Sequence, residues 1–273
     1  MSHPSPANDL SPEVLYEVSD HIATLTLNRP ERMNTISRAM LNQLTEQLLV
    51  ADRHPDVRVV ILTGKGRAFC AGLDLTEVTS PGEGGISNGT TQSTNLDLKS
   101  TPPTVMFNME KPTICALNGS AAGYGLDTAL GCDIRIMAKN AKLAAAFTKR
   151  GIVPESGGTW FLPRLIGWSK AAELIFTGRT LLADEALAMG LVSQVVEDDQ
   201  VQTLARALAT EIAANAPLAV QASKRMMRMG LSETFNDHVH HVFLQLLPLL
   251  KTHDAREGML AFMEKRAAIF EGR

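Results

Sequence analysis

A strand, helix, buried-strand order occurs twice in the first two-thirds of the chain, and helical periodicity follows to the end; together they predict an α/β fold with a helical C-terminal region. The size permits this, because 273 residues with 45% hydrophobic and 20% charged side chains can bury one large core. The chain divides into a flexible lead-in over 1–12, an α/β core over 13–198 and a helical region over 199–273.

The first element is a hairpin, with Val14 to Val18 as one strand and the alternating Ile22 to Leu27 as its partner. Ser37 is placed to cap a helix running to about Asp52, with Met40, Leu41, Leu44 and Leu48 on one stripe. Val57 to Leu62 is then a continuous apolar strand. The order recurs when Thr113 to Leu117 is followed by an Ala- and Gly-rich helix from about Ala122 and a strand over Asp133 to Met137. Between the two lies Thr79 to Asn95, rich in Gly, Ser, Thr and Asn, which reads as a mobile surface loop. From Leu181 onward helical spacing dominates, apart from a strand over Val192 to Glu197, and Pro217 suits a first helical turn. The last helices carry Val239, Val242, Phe243, Leu246 and Leu247, then Met259, Leu260, Phe262 and Met263. That is more apolar surface than they can bury alone, so a domain face or another subunit is expected to cover it, and the subunit is favoured because the helices come last and form no closed bundle.

A formal net charge of −3 supplies no basic field for nucleic acid. Cys70, Cys115 and Cys132 fit neither a disulfide framework nor a zinc site and read as packing residues. With no signal-peptide pattern and no long apolar run, the protein is expected to be cytoplasmic and off the membrane. His238, His240 and His241 share a helix with Asp237 and are assigned to solvent or an interface, not to a metal.

Two segments carry chemistry. VVILTGKGRAFCAGLD, Val59 to Asp74, is a buried strand ending in a Gly-rich turn, and CALNGSAAGYGLDTALGCD, Cys115 to Asp133, repeats it. Either turn alone is ordinary; two at neighbouring strand ends could aim amides at one oxygen, as stabilising an oxyanion or enolate requires. Asp127 in the first turn of the second helix and Glu155 in GIVPESGGTWFLPR are the acid–base candidates. Each also has a plain reading as a helix-dipole partner. Phe147, Trp160 and Phe161 read equally as core or pocket wall.

With these residues in view, the chain resembles the enoyl-CoA hydratase/isomerase, or crotonase, family over nearly its whole length. The likeness rests on LNRPERMNTI near Leu27, AFCAGLDL from Ala68, NGSAAGYGLDTALGCDIRI from Asn118, GIVPESGGTWFLPRLIG from Gly151, ADEALAMGLVSQVV from Ala183 and EGMLAFMEKR from Glu257. The resemblance implies a crotonase-like spiral of strand-strand-helix repeats with a helical C-terminal trimerisation region, assembled as a homotrimer or a dimer of trimers. It implies coenzyme A as part of the substrate and no permanently bound cofactor. It places the oxyanion amides on Leu73 and Tyr124. CoA contacts fall on Arg32, Met33, Ala71, Gly72, Asp74, Leu75 and Gly125, with Phe262 and Lys265 reaching a neighbouring subunit's nucleotide.

The departures narrow the chemistry. Two-glutamate hydratases of the family place their acids at the positions of Asp127 and Phe147, so here one is shortened and the other absent. Glu155 occupies the position where some family isomerases carry a single acid–base carboxylate. A 1,3-proton shift needs only that one base and an oxyanion hole. Hydration with Asp127 and Glu155 together, and a non-catalytic binding role, are the two rival expectations.

Overall fold

The computed structural model describes residues 12–78 and 101–273. The loop expected over Thr79 to Asn95 and nearly all of the lead-in lie outside them.

β1 (Val14–Ser19) and β2 (Ile22–Leu27) form the expected antiparallel hairpin, closed by Asp20 and His21 at φ 50° and 64°. Left-handed backbone at both turn residues matches the twist of the flanking strands. Ser37 caps α1 (Arg38–Arg53), its hydroxyl accepting from the Met40 amide at 2.9 Å, and Met40, Leu44, Leu48 and Ala51 bury one stripe. β3 (Val59–Gly64) is buried throughout and lies parallel to β2. It starts two residues later than the apolar run because the Val57 amide is spent on the His54 carbonyl.

From β3 a repeat is visible. β4 (Ala68–Cys70) leads through α2 (Leu75–Val78) and α3 (Pro102–Asn108) to β5 (Thr113–Leu117). Next come β6 (Ser120–Ala122) and α4 (Tyr124–Gly131), followed by β7 (Ile134–Ala138), β8 (Lys142–Ala144), α5 (Gly158–Ile166) and α6 (Trp168–Thr177). The first strand of each pair joins a six-stranded sheet ordered β1-β2-β3-β5-β7-β10, and the second joins a four-stranded sheet ordered β4-β6-β8-β9. Each turn of the chain therefore adds one strand to each sheet and one helical connection, which is the strand-strand-helix spiral expected. The helix expected from Ala122 begins at Tyr124, because Ser120 to Ala122 pair with β4 and β8.

β9 (Thr180–Leu182), α7 (Ala183–Ala188) and β10 (Gln194–Val196) complete the sheets. α8 (Val201–Ala213) packs on β2, β3, β5 and β7, burying Val201, Ala205, Ala209 and Ala213 at intervals of four. The sequence expectation puts this helix in the C-terminal region that starts at 199, but its small alanines let it sit directly on the large sheet, as a core layer. Arg58 ties its end down, donating to the carbonyls of Ala213 and Phe270 at 2.9 and 2.7 Å. α9 (Pro217–Met229) is held through Lys224, whose ammonium meets Asp133 at 2.8 Å and the Lys111 carbonyl at 3.0 Å. α10 (Phe235–Leu249) buries no residue fully, and α11 (His253–Glu264) buries Asp254 and Ala261. Their large apolar residues, including Phe243 at 55% and Phe262 at 85% exposure, face outward. His238 and His241 each bond one oxygen of Glu233.

Candidate active site

β4, β6 and β8 lie side by side and parallel, so the segments leaving their C-terminal ends meet at one edge. Those segments, with the turn before α5, line a pocket of Ala71, Gly72, Leu73, Leu75, Gly123, Tyr124, Phe147, Arg150, Ile152 and Glu155. The two Gly-rich turns touch only because their glycines lack side chains. A Cβ on Gly72, which sits at φ 103°, would lie 3.0 Å from the Ala122 carbonyl oxygen and 3.8 Å from the Tyr124 nitrogen. One on Gly125 would lie 2.3 Å from the Cys70 carbonyl oxygen.

This contact positions two amides. The Ile36 amide donates to Gly72 O at 2.8 Å and the Asp74 amide donates to Ile36 O at 2.9 Å, so the Leu73 N–H between them is turned away from that pairing. Tyr124 opens α4, where helix amides have no intrahelical acceptor and the helix dipole favours negative charge. Neither N–H has a protein acceptor among the described residues. Both belong to residues of the pocket wall. Two unpaired N–H groups on one pocket wall could donate to a single ligand oxygen.

The two carboxylate candidates have different surroundings. Asp127 is fully buried and absent from the pocket wall. Its Oδ2 accepts from the Ser156 amide at 3.2 Å, while Oδ1 has no hydrogen-bond partner; the Gly158 amide is near enough to favour its charge without bonding geometry. Burial pushes its pKa up to about 7, and the nearby Glu155 charge adds to the rise. Glu155 lies in the turn ahead of α5, is solvent-accessible as a residue, and faces the pocket. Desolvation by surrounding protein raises its pKa from the usual value. A carboxylate so shifted is nearer the pH at which it can both take and return a proton. Phe147, at the second hydratase position, contributes only a buried apolar wall.

The remaining expected residues divide. Arg32 and Met33 sit on the short helical turn of Pro30–Arg32, beside Ala71, whose amide donates to the Met33 carbonyl at 3.0 Å. Leu75 is half-exposed at the pocket. Asp74 is buried, its carboxylate is occupied by Arg29 at 3.0 Å and the Thr76 hydroxyl at 2.6 Å, and its amide is spent on Ile36 O. The Thr76 hydroxyl, opposed by burial and helped by Arg29, holds its pKa below the ordinary value. Gly125 packs against the Cys70 carbonyl and is absent from the pocket wall. Phe262 and Lys265 lie outside this pocket wall. Cys70, Cys115 and Cys132 are free and buried, and burial pushes the Cys70 thiol up to about 12. Arg150 and Ile152 also line the pocket, and nothing in their local sequence marks them.

The sequence profile described as enoyl-CoA hydratase/isomerase matches residues 17–273. The chain is 38% identical over 260 residues to (E)-benzylidenesuccinyl-CoA hydratase of Thauera aromatica, covering 95% of this chain and 99% of that protein. It is 34% identical over 276 residues to 1,2-epoxyphenylacetyl-CoA isomerase of Escherichia coli, covering 95% and 98%. A crystal structure of enoyl-CoA hydratase from Bacillus anthracis superposes with a TM-score of 0.87 at 35% identity, covering 96% of this chain and all of that one. Matched by that profile over nearly its whole length, and by relatives and a solved structure that it covers almost end to end, the chain belongs to the enoyl-CoA hydratase/isomerase family.

Proposed function

We propose that the protein isomerises an unsaturated or strained acyl-CoA, with Glu155 as its single acid–base group. The observation that carries this reading is that Glu155 shares a pocket wall with Leu73 and Tyr124 while Asp127 lies buried behind it. The thioester oxygen accepts from the two amides. Glu155 removes a proton from the carbon next to the thioester, the negative charge develops on the held oxygen, and Glu155 returns the proton two carbons further on as the double bond moves. The wall residues Ala71, Gly72 and Leu75 and the neighbouring Arg32 and Met33 would receive the CoA portion, with no resident cofactor. The exposed α10 and α11 faces support assembly as a trimer or a dimer of trimers, with Phe262 and Lys265 turned toward a neighbour's nucleotide. Among the described residues no helix is long and apolar enough to cross a membrane.

Hydration is the second reading, supported by the placement of Asp127 beside Glu155 with a pKa near 7 and by likeness to a hydratase. Incubation with a 3-enoyl-CoA and, separately, a 2-enoyl-CoA decides between them. Appearance of the conjugated thioester absorbance from the 3-enoyl ester, abolished in Glu155→Gln, is the expected result. Loss of conjugation from the 2-enoyl ester with a hydroxyacyl product would replace it by hydration.

A further inference from the structure

Among the described residues, the pocket wall carries one positive charge, Arg150, that the chemistry above does not use. Arg150 ends a short helical turn, Thr148–Arg150, that follows β8. The turn is fixed: the Arg150 amide donates to Phe147 O at 2.8 Å, the Gly151 amide to Thr148 O at 3.1 Å, and the Thr148 hydroxyl to Ile175 O at 2.8 Å. Gly151 leaves the turn at φ 71°, a left-handed exit that favours glycine.

The guanidinium makes one hydrogen bond, from Nη1 to the Ala146 carbonyl at 3.1 Å, and no carboxylate among the described residues comes within ion-pair distance of it. Glu155, the other charged residue of the wall, does not pair with it; an adjacent guanidinium would have lowered the Glu155 pKa, which desolvation instead raises. The other wall residues are apolar or present backbone. Guanidinium has five N–H groups in a planar fork that matches a carboxylate, and here it is exposed and reachable by a ligand in the pocket. The turn carrying Arg150 follows β8, the third of the parallel strands of the small sheet, and lines the same pocket as the two turns that supply the amides, which follow β4 and β6.

We propose that Arg150 binds a carboxylate carried by the acyl group away from the thioester, so that the pocket selects CoA esters of dicarboxylic acids over plain fatty acyl esters. This rests on the acyl-thioester reading of the pocket but not on which reaction follows.

Calorimetric titration of wild type, Arg150→Leu and Arg150→Lys with unreactive hexanedioyl-CoA, hexanoyl-CoA and free CoA tests it without turnover. The wild type is expected to bind hexanedioyl-CoA about tenfold more tightly than hexanoyl-CoA, as a solvent-accessible charge-assisted pair would give. Arg150→Leu should erase that preference and Arg150→Lys keep part of it. Equal affinity for the two esters in the wild type overturns this proposal alone. So does an Arg150→Leu variant that weakens both esters and free CoA by one factor, since that places the guanidinium on CoA phosphate. Binding of neither ester overturns the acyl-thioester reading and this proposal with it.

Discussion

Asp127 and Glu155 are both carboxylates close to the N-terminal end of a helix, yet the fold treats them oppositely. Asp127 enters α4 one turn in and is sealed under the chain that leads into α5, where its carboxyl supports the Ser156 amide. Glu155 is the residue just before that amide and stands on the open side. One acid holds the turn that presents the other. A position near a helix N-terminus therefore says nothing of whether a carboxylate meets substrate; the side of the backbone it occupies decides that.

The largest effect expected from breaking this comparison is kinetic. Glu155→Gln should lower turnover about 100- to 10,000-fold while leaving acyl-CoA binding within a few-fold, measured by steady-state rates beside calorimetric titration. A variant of near wild-type rate would remove Glu155 from the chemistry.

A smaller and mixed effect follows from pressing on the support. A Cβ at Gly158 would meet Asp127 Oδ1 at 2.3 Å and the Pro154 Cβ at 2.9 Å. Gly158→Ala should cost about 1–3 kcal/mol of stability and displace the Glu155 turn, lowering kcat with little change in KM. Urea unfolding and initial rates on the same preparation separate the two parts.

Next is a pH effect on stability. The Asp127 pKa rises from 3.8 to about 7 in the folded chain, so between those values the folded state binds more protons than the unfolded one. Its contribution is complete below pH 3.8 and is lost as pH rises through about 7. The loss is on the order of a few kcal/mol. Asp127→Asn removes this dependence, so its melting temperature should gain on that of the wild type between pH 5 and pH 8. Parallel curves would show that the carboxyl ionises as freely folded as unfolded.

The smallest effect is the sharpest diagnostic. Since burial raises the Glu155 pKa, kcat/KM should climb with pH through an apparent pKa above 4.5 as the base ionises. If Asp127 is the base instead, the rise should centre near 7.

Much of the fold was legible because its signals are local. Ser37 before a stripe of Met40, Leu44 and Leu48 announces a capped helix, and the apolar run into Leu62 announces a strand buried on both faces. Boundaries slipped where pairing partners decided them, as at Ala122, which reads as the start of a helix until its pairing with β8 keeps it in a strand. The sequence groups α8 with the C-terminal helices because an Ala-rich helix looks the same on a sheet as at an edge.

The site was legible in part. Gly72 and Gly125 announce backbone that must come close to something, but only the packing shows that each approaches the other's turn, leaving the Leu73 and Tyr124 amides free beside one pocket. Arg150 was invisible, since an arginine three residues after a buried phenylalanine is ordinary until the third turn of the spiral brings it to the wall. The sequence by itself determined the alternation of strands and helices, the two glycine turns and the pair of candidate acids, because these depend on neighbours a few residues apart. Only the tertiary structure decided which amides stay unpaired, which carboxylate is sealed and which cation faces the pocket. Those properties belong to contacts between segments that lie tens of residues apart in the chain.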